Sequence, residues 1–166
     1  MGTKRVGWAR IRSLINENAN QLKIRNDQVV AVSKATTLTS GQSGATVYWT
    51  HSVSNHDVTL PAAAVGMNFK FVLAVGHANS HNIKCAAGDE VFGKVTVVST
   101  TADVTDTQLQ VKTDGDTKVH LSAAAATRGG NAGDTVHLVC AEAGYWVCTA
   151  LLTTTNAVPA AIAVLV

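Results

Sequence analysis

With 166 residues and 17.2 kDa, the chain is long enough for one ordinary domain with a modest core and too short for two. Charged residues are only 14% of it, against roughly 25% in an average soluble domain, while hydrophobic residues reach 46%. That balance excludes a disordered chain and argues against both a charged helical bundle and an exposed basic reader of nucleic acid. The net charge of +2 is unevenly placed, because residues 1–27 hold six basic side chains against Glu17 and Asp27 while the remainder is slightly acidic.

Residues 4–25 read as a helix. Trp8, Ile11, Ile15 and Leu22 recur at helical spacing, Leu14 widens the stripe, and Arg5, Arg12, Asn16 and Lys23 lie off it. Asn16, Asn18 and Asn20 weaken the intrinsic propensity, so the helix needs a partner surface. That surface is either its own domain or a neighbouring subunit. The basic face favours an arm, assigned to residues 1–27, that reaches an acidic protein surface.

Residues 28–44 follow as a connector. Val29–Val32 is a short apolar run, and residues 33–44 are rich in Thr, Ser and Gly. From residue 45 to 166 the pattern predicts a β body. Strand-like runs cover Ala45–Thr50, Asp57–Leu60 (ended by Pro61), Met67–Val75 and Glu90–Ser99. Gln108–Lys112 and Lys118–Ser122 flank an Asp114-Gly115 pair, a hairpin signal. Thr135–Ala141 and Tyr145–Leu151 flank Glu142-Ala143-Gly144 as a second hairpin. About eight strands at near-regular spacing, with no internal repeat of fixed period, indicate a single antiparallel β-sandwich or barrel-like domain.

Alternation assigns faces within these strands. Phe69 and Phe71 share one face with Lys70 opposite, and Trp146 and Cys148 share another with Tyr145 and Val147 opposite. The aromatics read as core; the competing reading is a carbohydrate platform built from Tyr48, Trp49, Tyr145 or Trp146. The tail from Ala157 to Val166 is apolar, contains Pro159, and is too short for a membrane span. It belongs in a subunit interface, through Val158, Ile162, Val164 and Leu165, or forms an added strand.

Candidate chemistry is sparse. His77, His81 and Cys85 stand at intervals of four, which on a helix would suit zinc. The surrounding Gly76, Asn79, Ser80 and Asn82 predict a loop with solvated or interface histidines instead, and His51 and His56 flank a probable turn. Cys140 and Cys148 lie on the arms of the last hairpin, where a cross-strand disulfide or two buried free thiols could form. Three cysteines are an odd count that does not indicate a disulfide framework. Arg10 and Arg12 interrupt any apolar stretch after Lys4 and Arg5, so no secretory leader is expected and a cytosol-like compartment is. No carboxylate pair, nucleophile motif or phosphate loop stands out, so neither enzymatic activity nor a metal or cofactor is expected.

Three stretches carry a family resemblance: Lys34–Tyr48, Val58–Val72 with its Thr59-Leu60-Pro61, and Gly133–Val147 with Gly133-Asp134 leading into a strand and Tyr145-Trp146. Together with the Gly2-Thr-Lys-Arg-Val-Gly7 opening, this order resembles small β-rich virion proteins of tailed phages over residues 1–155. It looks most like head decoration or cement proteins of marine and cyanobacterial phages. The resemblance implies a homo-oligomer, expected as a trimer, assembled in the host cytoplasm on the outer capsid surface and stabilising the mature head. Its partners would be the major capsid protein and itself, with no membrane or nucleic acid. The arm would dock through Arg5, Trp8, Arg10, Ile11, Arg12, Leu14, Ile15 and Leu22. Related modules in phage fibres and spikes give the alternative, a fibre or tail-fibre module that binds host-surface glycans.

Overall fold

A computed structural model describes residues 10–18, 28–50, 56–76, 80–100, 107–122, 128–155 and 164–166. The chain is mainly β. Its strands are β1 (Val29–Val32), β2 (Thr36–Thr37), β3 (Thr46–Trp49), β4 (Asp57–Thr59), β5 (Asn68–Leu73), β6 (His81–Lys84), β7 (Glu90–Ser99), β8 (Thr107–Asp116), β9 (Lys118–Leu121), β10 (Thr135–Glu142) and β11 (Tyr145–Thr154). They form a seven-stranded sheet ordered β1-β3-β5-β10-β11-β7-β8 and a four-stranded sheet ordered β2-β4-β6-β9. A helix, α1, covers residues 10–18.

The first six strands alternate between the two sheets. β1, β3 and β5 lie parallel in the large sheet, while β2, β4 and β6 lie parallel in the small one. Each step back to the same sheet has a different length. Val29 pairs with Thr46 and Thr46 with Lys70, which are steps of 17 and 24 residues. A winding with coils this uneven leaves no fixed period for a sequence scan to find. β11 also runs parallel to β7. The sheets are therefore mixed and open rather than antiparallel or closed. Residues 28–44, read as a connector, supply β1 and β2 and a short 3-10 turn at Ser40–Gln42, where the Thr39 N–H donates to Gln42 Oε1 at 2.8 Å.

Register stacks the core residues. Val32, Trp49 and Leu73 lie side by side in the large sheet, as do Val47, Phe71 and Val136. Val58, Ile83 and Val119 do so in the small sheet. All are fully buried in one hydrophobic cluster fed by both sheets. Strict alternation puts Phe69, Phe71, Trp146 and Cys148 inside and Lys70 outside, as the sequence predicted. Pro61 follows β4 at the expected place, and β5 is flanked by strands on both sides.

The two hairpins fare differently. β10 and β11 pair through a two-residue turn, where Gly144 has φ +84°, a conformation that favours glycine, and the register slips between Cys140 and Glu142. Asp114-Gly115 makes no hairpin. β8 runs through it, and β9 leaves for the other sheet. Val91 faces Asp116 while Gly93 faces Lys112, so the extra residues are absorbed as a bulge.

One buried carboxylate fastens the end of the large sheet. Asp134, just before β10, accepts hydrogen bonds from the N–H groups of Gly130 (2.8 Å), Asn131 (2.9 Å) and Thr153 and from the Thr153 hydroxyl (2.7 Å). Burial pushes its pKa up, and the bonds from Thr153, Gly130 and Asn131 only partly offset this. The C-terminal residues close the open side between β8 and β9. Gln110 Oε1 accepts from the N–H groups of Val164 (2.9 Å) and Leu165 (3.0 Å), its Nε2 donates to the Leu165 carbonyl (3.1 Å), and Val164–Val166 bonds along β9.

Candidate interaction surfaces

The expected arm residues divide by position. Arg10, Ile11, Arg12, Leu14 and Ile15 lie on α1, whose described residues are all exposed. Ile11, Leu14 and Ile15, on one helical stripe, are 49%, 52% and 59% exposed. Arg5, Trp8, Leu22, Val158 and Ile162 fall outside the described residues. Val164 and Leu165 correct the expectation of an interface: both are fully buried in the chain's own core, with Leu165 bridged to Val119. For these two residues the added-strand reading describes their place, because the gap between β8 and β9 needs apolar filling from within the chain.

The histidine expectation also changes. His81 opens β6 and is fully buried, edge-on to Trp49 at 5.4 Å and 6.4 Å from the ring of His56. His51 and His77 fall outside the described residues. Among the described residues, no three His, Cys, Asp or Glu side chains come together as metal ligands. Cys140 and Cys148 are buried free thiols set two residues apart in register: Cys140 pairs with Trp146 and Cys148 with Leu138. Trp49 and Trp146 are fully buried, because alternation turns each inward while Tyr48 and Tyr145 turn out. The two tryptophans of the expected sugar platform are therefore core.

The sequence reading missed the outer face of the large sheet. Register sets the rows that cross it. One row runs Ala31, Tyr48, Val72, Thr135, Leu151, Thr96, Leu109. The next runs Val29, Thr46, Lys70, His137, Thr149, Lys94, Val111. Leu109 and Leu151 are 58% and 56% exposed, and Val29, Val111 and Tyr48 are exposed as well. These exposed apolar side chains stand among threonines and lysines across the face. The charges in these two rows are cationic, Lys70 and Lys94. A groove of about 480 Å³ opens beside Lys94, lined by Phe92, Gly93, Val111, Val147 and Thr149. The signal in the sequence was β11 itself, which is apolar at Tyr145, Val147 and Leu151 on one side and at Trp146, Cys148 and Ala150 on the other.

The end of the body near Asn68 has the opposite sign. Asp89, Glu90 and Glu142 gather there beside exposed Tyr145 and Val65. Asp89 Oδ2 accepts from the Ala63 N–H at 2.7 Å, and the Gly66 N–H donates to the Cys140 carbonyl at 2.9 Å, so the 61–67 loop is tied to this end. Comparison with family models, with curated proteins and with solved structures finds no match to the chain.

Proposed function

We propose that this protein is a capsid decoration protein that works by covering and gluing the outer surface of a phage head. The observation that carries this reading is the bare apolar stripe of α1, Ile11, Leu14 and Ile15, on a chain whose β body already has a complete core. An exposed apolar stripe on a short helical segment is marginal in water without a partner, and Arg10 and Arg12 flank the stripe with positive charge. The partner is the major capsid protein, and an acidic patch on it fits this arm. The body serves as a two-layer, sandwich-like platform. Binding only the assembled shell stabilises the mature head by mass action.

The same reading makes the protein a trimer on the virion surface. A cyclic trimer needs two different, complementary surfaces on each copy. The cationic, apolar outer face of the large sheet and the acidic end at Asp89, Glu90 and Glu142 supply such a pair. Like charge keeps the basic arm off that sheet face, which leaves the arm for the shell.

Deletion of residues 1–26 tests the arm. The truncated body should keep its β circular-dichroism signal and lose attachment to purified heads. A truncated body that still coats heads at full copy number would overturn the arm's role. Hundreds of copies per head relative to the major capsid protein support a cement, whereas a handful per particle would refute it.

A further inference from the structure

The outer side of the four-stranded sheet concentrates cations. Register across β4, β6 and β9 aligns Asp57 with Asn82 and His120, and Thr59 with Lys84 and Lys118. The intervening Val58, Ile83 and Val119 are fully buried, so both rows point away from the core. Lys84 and Lys118 stand directly opposite each other, a pairing of like charges that is unfavourable by itself. Asp57 forms its ion pair with Lys84, Oδ2 to Nζ at 2.5 Å, and its Oδ1 accepts from Asn82 Nδ2 at 2.6 Å, while Lys118 acts on it only through space. Burial works against ionising Asp57, but the bonds to Lys84 and Asn82 outweigh it and hold the carboxyl below its usual range. Lys118 has no carboxylate partner among the described residues.

Arg128 completes the group. The Ser122 N–H donates to the Gly129 carbonyl at 2.8 Å, which fixes Arg128 beside the end of β9. Arg128 Nε and His120 Nε2 are sealed from solvent and meet no hydrogen-bond partner among the described residues. Buried polar atoms without a partner are rare and call for one. Burial first, then the charges of Arg128 and Lys118, hold the pKa of His120 down to about 4, so its ring is neutral at pH 7. Three cations then face one carboxylate that is already engaged.

We propose that this face binds an oxyanion group, with Arg128 and Lys118 as its charge partners and the His120 ring beside them as its reporter. A guanidinium fork suits the paired oxygens of phosphate, sulfate or carboxylate. The site lies on the sheet opposite the proposed subunit contact and does not depend on the decoration reading.

The test is a titration of the full chain at pH 7 and constant ionic strength, following the His120 ring resonances by NMR. Inorganic phosphate is the first probe and acetate the second. Saturable shifts of His120 with phosphate are expected, with an affinity on the order of millimolar. A similar response to acetate identifies a site that reads charge, and a phosphate-only response identifies one that reads a tetrahedral oxyanion. Arg128→Ala and Lys118→Ala should each weaken binding about tenfold, and Arg128→Lys should fall between. Lys34→Ala, exposed just before β2 at the far edge of the same sheet, should bind as the parent does. Melting curves establish that each variant is folded. No saturable shift up to on the order of 50 mM phosphate, or undiminished affinity in folded Arg128→Ala, would overturn the proposal.

Discussion

Cys85 and Cys148 differ in exposure, yet both thiols are held in the neutral form. Burial pushes each pKa up to about 12, with Asp89 and Glu90 adding to the effect at Cys85 and Cys85 adding to it at Cys148. A thiol in the unfolded chain ionises near 9.0. Below that pH the two states hold the same protons and these groups leave stability unchanged. Between 9 and 12 the unfolded chain releases protons that the folded chain keeps, so stability falls as pH rises. At pH 10 the pair should cost about 3 kcal/mol at most, less the part that solvent screening removes at half-buried Cys85. Urea denaturation at pH 8 and pH 10 measures the loss, and a Cys85→Ser/Cys148→Ala variant should lose that much less. An equal loss in both proteins would contradict the assignment. The sequence placed Cys140 and Cys148 on one hairpin and allowed them to be buried thiols. It could not bring Cys85 near Cys148, because Cys85 follows β6 of the small sheet and Cys148 lies in β11 of the large one, and only the packing of the two sheets brings them together. Asp134 was equally hidden. Its partners Gly130, Asn131 and Thr153 meet only when the loop before β10 folds onto the end of β11.

At the scale of elements, local alternation was legible and pairing was not. Glu90–Ser99 was read with the bounds that β7 has, and the last hairpin was read on its turn residues. Asp114-Gly115 misled because a turn signal carries no information about what lies beside it; β7 pairs with β8 on both sides of that point and takes it up as a bulge. On its other side β7 meets β11, and at Gly93 the two backbones come close. Gly93 has φ +141°, and a Cβ there would overlap the Cys148 carbonyl oxygen and crowd its N–H. Neither atom can retreat, since both belong to the β7–β11 ladder, which is held between β10 and β8. Gly93→Ala should therefore cost about 3 kcal/mol or more, through strain and a displaced ladder. Gly88→Ala serves as the comparison. Gly88 has φ +87° but nothing within 4 Å of its missing Cβ, so only the backbone penalty of about 1 kcal/mol remains. Urea midpoints for the two variants read the difference directly; equal losses would show that the overlap at Gly93 is relieved at no cost.

The molecule as a whole carries its charge in separate places, and that separation decides how copies can meet. With charged residues at only 14%, composition suggests a surface that partly faces other protein. Which surface this is depended on sheet order, which composition does not contain. Lys70 and Lys94 lie in one row with exposed Val29 and Val111, and Glu142 lies at the acidic end beside Tyr145. Two copies placed face to face through the large sheet would set lysine against lysine. The proposed head-to-tail trimer would instead set lysine against glutamate. The parent chain should sediment as a trimer. Lys70→Glu/Lys94→Glu should weaken assembly at least about tenfold, since like charges then meet across the contact. Adding Glu142→Lys to that variant should recover much of the loss, while Glu142→Lys alone should weaken the parent. Recovery by a second charge reversal distinguishes a direct contact from general loss of fold, because all three positions are at the surface and none belongs to the core. If the doubly reversed lysine variant remains a trimer at the parent's concentration dependence, the sheet face is not where copies join.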